Sequence, residues 1–306
     1  MAIAQRTPLF DRNPQYGWYD YGNFEKHPAN IWFVGNCATG STARADAAGF
    51  GMSPDSPFLT IAYALTQCTN STGDVIYCLP GHVEAVLATD LTLNVIGVTI
   101  IGIGEGSYQP IISLDAEGST IAVSAASVTI EHMHIVANFA DVSVAITVAA
   151  SDFTLRNCRC TGDGAGLNAE IWVQDGALLT THRITVEDCI FIDNDAANDE
   201  CLAFGGTGAE HVVRRNNFIG TWGTACISVT GACTYMLIAD NNVYNIQALV
   251  VDTGINAATA TGICVNNRAS TGNASVNQIT APAMVKCQNY GGLIGDANGP
   301  LDPIAT

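Results

Sequence analysis

The sequence predicts an all-β solenoid, a parallel β-helix of stacked rungs. Three observations predict it. Strand-like segments recur at a near-regular spacing. A second strand-like segment precedes most of them. The composition is poor in charge and rich in glycine: charged residues are 13% of the 306, apolar residues 48%, and 30 residues are glycine. So little charge does not supply the polar outer faces of a helical bundle. It does suit many short strands joined by tight turns.

The recurring segments begin at Val98 (VTIIGIG), Val128 (VTIEHMHI), Phe153 (FTLRNCRC), Ile184 (ITVEDCIF), His211 (HVVRRNNF), Met236 (MLIADNNV), Gly262 (GICVNNRA) and Met284 (MVKCQNYG). Successive starts are 22–31 residues apart. Each segment has apolar residues two apart, then a polar pair, then apolar character again, which is the alternation of a strand broken by a turn. The companion segments STIAVSAAS, VAITVAAS, AEIWVQDGA, CLAFGGTG, ACISVTGAC and ALVVDTGIN keep phase with them. One rung cannot bury its own inner face, so stacking must build the core. The L-x-x-L-x-L pattern of leucine-rich repeats is absent, and propeller blades are longer. Seven or eight rungs predict a rod of roughly 35–40 Å.

The elements follow in order. Residues 1–33 hold eight of the 23 aromatics: Phe10, Tyr16, Trp18, Tyr19, Tyr21, Phe24, Trp32 and Phe33. They read as an extended assembly arm that packs on its own first rungs, on a sister subunit or on another protein. Residues 34–75 read as an N-terminal cap. Asp55 or Ser56 is the expected helix cap, Pro57 the first turn, and Phe58, Ile61, Ala62 and Leu65 the apolar face. Residues 76–291 are the rod and 292–306 a tail.

The rungs, with the opening PFLTI…GDVIYCLPG, resemble the right-handed parallel β-helix proteins, the pectate-lyase-like group. The resemblance implies right-handed winding and a turn ladder of stacked polar side chains, here Asn157, Asp188, Arg215 or Asn216, Asn241 and Asn267. In the same column Cys158 aligns with Met133, Cys189, Asn216 and Asn242, and Cys160 with Ile135, Phe191, Phe218 and Val243, so Cys158-x-Cys160 reads as rung filling.

Formal net charge is −17 and no Lys or Arg run occurs, which disfavours nucleic acid and anionic membranes as partners. The N-terminus lacks the apolar core of a signal peptide. The eleven cysteines are expected to be reduced and buried. Candidate chemistry centres on EDCIFIDNDAANDE, whose Asp193, Asp195, Asp199 and Glu200 could serve acid–base glycoside cleavage or hold a cation; as turn residues they need no function. The group's polygalacturonase blocks are absent, and no lyase block surrounds Arg156, Arg159, Arg183, Arg214 or Arg215. Trp172 and Trp222 could stack on sugars or fill the core. His132-x-His134 has no completing ligands, and no metal or cofactor is expected.

The resemblance implies a phage virion structural protein, a capsid decoration or cement protein made in the host cytoplasm and displayed on the capsid exterior. It implies a homotrimer whose partner is the major capsid protein or another virion protein. The alternatives are a tailspike-type polysaccharide lyase or hydrolase, or a non-catalytic glycan-binding β-helix.

Overall fold

A computed structural model describes residues 10–12, 19–21, 30–36, 44–87, 91–162, 166–176, 180–193, 199–246, 253–272 and 278–293. The chain winds as a right-handed parallel β-helix with three sheets of ten, nine and eight strands. All eight repeat segments fall in the ten-stranded sheet. In spatial order its strands are Ile31–Val34, Val75–Cys78, Thr99–Gly102, Thr129–Glu131, Thr154–Arg156, Thr185–Glu187, Val212–Arg214, Met236–Ala239, Gly262–Val265 and Met284–Cys287. The nine-stranded sheet runs from Val83–Val86 to Tyr290–Leu293 and the eight-stranded one from Leu91–Leu93 to Ile279–Thr280. Nine inter-strand spacings of about 4.8 Å make the longest sheet about 43 Å.

Register stacks like on like inside the rod. One inward column reads Ile76, Ile100, Ile130, Leu155, Val186, Val213, Ile238 and Cys264, all buried. Another reads Ile112, Ile135, Cys160, Phe191, Phe218, Val243 and Ala269. Phe191 and Phe218 stack with ring centroids 5.0 Å apart. Each column ends in a residue that stops apolar stacking. The first ends at exposed Lys286, the second at Glu84 on one side and Gly291 on the other.

Glu84 also docks the cap. The helix Ile61–Gln67 lies over the open end, and buried Glu84 accepts from Ile61 N–H at 2.9 Å and Ala62 N–H at 3.4 Å. These are first-turn donors with no partner inside the helix. The cap residue is Thr60, whose side chain accepts from Tyr63 N–H, rather than Asp55 or Ser56. The helix starts late because Phe58 is held extended: its N–H donates to Phe33 O and its carbonyl accepts from Gly35 N–H. The buried face is accordingly Phe58, Ile61, Ala64 and Leu65, while Ala62 is exposed.

Two corners repeat along the rod. Before the strands that begin at Thr129, Thr154, Thr185, Val212 and Met236, Ser127, Asp152, Arg183, Glu210 and Tyr235 take positive φ of 56–63°. After it, His132, Asn157, Asp188, Arg215, Asp240, Asn266 and Gln288 do so at 52–57°. In the second corner the left-handed residue turns its N–H toward the following rung, as in His132 N to Arg156 O and Asp188 N to Arg214 O, both 3.2 Å. That conformation costs a non-glycine residue roughly 1 kcal/mol, and a hydrogen bond between rungs offsets it.

Candidate functional site

The acidic stretch is the strongest sequence candidate, and its described members part company. Asp193 ends the strand Ile190–Asp193 on the same side as Phe191, and it is buried. Its Oδ2 accepts from Trp172 Nε1–H at 3.1 Å and Ala169 N–H at 3.2 Å. Asp193 thus ties one rung to the preceding one inside the rod. Asp199 is exposed and Glu200 half-buried, both at the start of the eight-stranded sheet. Asp195 lies outside the described residues.

Glu170, in the strand Ala169–Asp175, was not singled out in the sequence and belongs with Asp199 and Glu200. Burial, then Asp199, Asp141 and Glu117, raise its pKa. Burial foremost, with Asp199 adding, also raises that of Glu200. These acids form an edge strip crossing successive rungs. A raised carboxyl keeps its proton to higher pH than an ordinary one, the direction a general acid needs. Among the described residues no three His, Cys, Asp or Glu side chains converge as metal ligands.

The arginines serve the corners and the outer sheet face. Arg156 meets Glu131 at 2.6 Å, and Arg214 meets Glu187 at 2.6 Å. These four residues occupy one outward column in the order Glu131, Arg156, Glu187, Arg214. Arg183 holds Asp152 through two nitrogens, and Arg215 holds Asp188 likewise. The guanidinium of Arg183 lowers the Asp152 pKa, and that of Arg215 lowers the Asp188 pKa. Arg159 stands exposed on the outer face of the nine-stranded sheet.

The turn ladder divides between two adjacent columns. Asn157 and Asp188 sit at the left-handed corner and are exposed. Asn216, Asn241 and Asn267 sit one position later, buried, and Asn289 continues them. Each amide repeats one pattern. Nδ2 of Asn241 donates to Val213 O of the preceding rung, and its Oδ1 accepts from Asn216 N–H and Asn216 Nδ2. Asn216, Asn267 and Asn289 make the equivalent bonds. Earlier rungs fill this column with thiols: Cys158 donates to Ile130 O and Cys189 to Leu155 O. The aligned residue in the Met236 segment is therefore Asn241, not Asn242, which faces out.

Ten cysteines in the described residues are free thiols, eight of them buried. Burial raises the pKa of Cys160, Cys189 and Cys201 and takes Cys264 to about 11, which leaves these sulfurs as unreactive filling. Trp172 and Trp222 are fully buried and offer no ring to a sugar. His132 is a corner residue, and His134 Nε2 lies 2.8 Å from Thr161 Oγ1. His211 fills a core column and packs on Phe204 with ring centroids 5.3 Å apart. Its Nδ1 accepts from Ile184 N–H at 3.2 Å.

Of the arm rings, Trp32 and Phe33 belong to the rod's first strand. Trp32 packs on Phe58 at 5.6 Å and Phe33 stacks on Tyr77 at 5.9 Å. Phe10, Tyr19 and Tyr21 lie in an antiparallel pair of strands, Phe10–Arg12 with Tyr19–Tyr21. Tyr16, Trp18 and Phe24 lie outside the described residues.

No protein-family profile matches the chain, and no curated protein matches it in sequence. Solved structures do. The fold is that of the lyase-type parallel β-helices. A rhamnogalacturonan lyase superposes with TM-score 0.56 at 12% identity, over 86% of this chain and 74% of that one. A pectate lyase gives 0.41 at 9%, over 88% and 78%. The ORF18 protein of Geobacillus virus E2 gives 0.32 at 13%, over 84% and 62%. At these identities the likeness is one of fold.

Proposed function

We propose that the chain is a non-enzymatic structural protein of a phage particle, a decoration or cement protein that oligomerises and grips the shell through its N-terminal segment. The observation that carries the reading is where the charged side chains go. Asp193 is consumed inside the rod by Trp172 and Ala169. Four of the five candidate arginines are engaged in ion pairs between rungs. Such pairs contribute about 0–1 kcal/mol each when exposed, but repeated along a rod they fix register. The sequence before Ile31 is rich in aromatic residues, a composition that suits contact with a partner.

A second reading, a polysaccharide lyase or hydrolase, draws on one specific observation. Glu170 and Glu200 sit on adjacent strands, with Ile171 and Glu200 in register, and both carboxyls have raised pKa. A polysaccharide panel separates the two. The structural reading expects no cleavage by the purified protein and its abundance in purified particles by mass spectrometry. Cleavage that Glu200→Gln or Glu170→Gln abolishes, with the protein absent from particles, would overturn it.

A further inference from the structure

The outer face of the nine-stranded sheet is built without acid. Its two outward columns, Val83 to Tyr290 and Ala85 to Gly292, hold no Asp or Glu, in a chain with 28 acids and a net charge of −17. Asp115, two residues past Ser113, is held at the sheet edge by Ser113 Oγ and Asn138 Nδ2, both at 2.7 Å. On the ten-stranded sheet and its corners Arg156, Arg183, Arg214 and Arg215 each meet a carboxylate. Arg159 lies instead on the acid-free face. It is exposed, and among the described residues its guanidinium has no ion pair or hydrogen bond.

The surroundings of Arg159 are ordered. His134 stands in register beside it on the preceding strand, and Thr161 follows it by two residues on the same side. His134 Nε2 and Thr161 Oγ1 meet at 2.8 Å, which fixes the hydroxyl. With the ring proton on Nε2, Oγ1 accepts it, and the hydroxyl hydrogen is left to donate outward. On the following strand Ile190 and Ile192 stand in register beside Arg159 and Thr161, and Ile190 is 41% exposed. A cation and a second donor thus border an apolar patch, where a charge-assisted hydrogen bond is stronger than in open water.

We propose that Arg159 and Thr161 bind a singly charged carboxylate whose carbon skeleton lies on Ile190 and Ile192. The planar guanidinium matches the two oxygens of a carboxylate. Charge selects a monoanion. One guanidinium neutralises one charge, and a chain of net charge −17 repels the remainder of a dianion such as phosphate. Arg268, in the same column, is four strand spacings away, about 19 Å, too far to share the ligand. The carboxylate has two possible sources with the same chemistry at Arg159: a small acid with an apolar chain, or the acidic side chain of a partner set among apolar residues. The site is independent of what the rod is attached to.

The test is NMR titration of the full chain. Sodium hexanoate should shift the Arg159 Nε–H and Ile190 methyl signals saturably, with a Kd of about 1 mM. Hexan-1-ol lacks the charge and inorganic phosphate carries too much, so each should bind at least about tenfold more weakly. Arg159→Gln changes an exposed side chain, so the rod folds, and it should weaken hexanoate at least about tenfold. Arg159→Lys should restore part of the loss, Thr161→Val should weaken binding about threefold, and Arg268→Gln should leave it unchanged. The peptide acetyl-Leu-Glu-Leu-amide distinguishes the sources: tighter binding than hexanoate identifies a partner's side chain, weaker binding a small acid. Equal shifts at Arg268 and Arg159, unchanged binding by Arg159→Gln, phosphate or hexan-1-ol binding as tightly as hexanoate, or no saturation by about 50 mM would overturn the proposal.

Discussion

At the residue scale the same side-chain chemistry does opposite work one position apart. Asn157 accepts a left-handed corner and faces solvent, whereas Asn241 is buried and bonds two neighbouring rungs. Asn241→Ala removes an acceptor for Asn216 N–H and a donor to Val213 O. It should cost about 2–4 kcal/mol in urea unfolding, against a few tenths for Asn157→Gly, which keeps the corner accessible. Asp193→Ala should likewise cost about 2–3 kcal/mol by stranding the Trp172 indole N–H. Asp199→Ala should stay within about 0.5 kcal/mol. Equal effects at 193 and 199 would refute the inward placement.

A third residue sets a pH dependence. Burial, with His182 adding, lowers the His211 pKa to about 4 from an ordinary 6.5. As pH falls from about 6.5 to about 4, the unfolded chain takes a proton that the folded chain refuses, so stability falls through that window. The loss from this group is at most about 3 kcal/mol. The raised carboxyls of Asp175, Glu170 and Glu200 act in the opposite sense, losing stability as pH rises through their folded pKa. Comparison with His211→Met isolates the histidine. Met236 and Met284 occupy the same column, and the variant, although it strands Ile184 N–H, should show a flatter fall between pH 7 and 5. An identical pH profile would contradict the assignment.

At the element scale much was legible. Alternation and spacing placed all eight segments in one sheet, because a rung repeats the same burial at each strand. The ladder was misread where both corner positions accept Asn or Asp: Met133, Cys158 and Cys189 occupy the buried column in early rungs, so only the exposed Asn157 and Asp188 stood out. The inward side of Asp193, named among the candidate acids, was legible and missed, since it lies two residues beyond Phe191 in a strand and shares its face. The acid strip of Glu117, Asp141, Glu170 and Asp199 was not legible. Rung lengths vary, and only three-dimensional register aligns these residues. The late helix start depends on Phe58 pairing with a strand twenty-odd residues earlier, which no local cap signal reveals. Glu84→Ala removes the acceptor for Ile61 and Ala62 N–H and leaves His82 Nε2 without its carboxylate at 3.1 Å. Amide exchange in Ile61–Gln67 should then rise at least tenfold while the middle rungs keep their protection. Uniform loss of protection would mean that the cap and rod open as one unit.

At the scale of the whole molecule the rod is asymmetric. One end is closed by a helix held on a buried glutamate, and the sheet beneath it begins at Ile31. The other end tapers through Ala269 to Gly291 and finishes on Lys286. No described helix is long and apolar enough to cross a membrane. Truncation at residue 29 should spare the rod, since no described strand of its three sheets lies before Ile31, whereas truncation at residue 36 removes that strand and with it one of the two partners of Val75–Cys78. Circular dichroism should show the first variant folded and the second losing thermal stability. We propose that this rod is a component of a particle, attached by its N-terminal end. Cryo-electron microscopy of purified particles tests it most directly. The expected density is a rod about 43 Å long on the outside of the shell, with its helix-capped end toward the capsid. Particles that lack the rod altogether would contradict it.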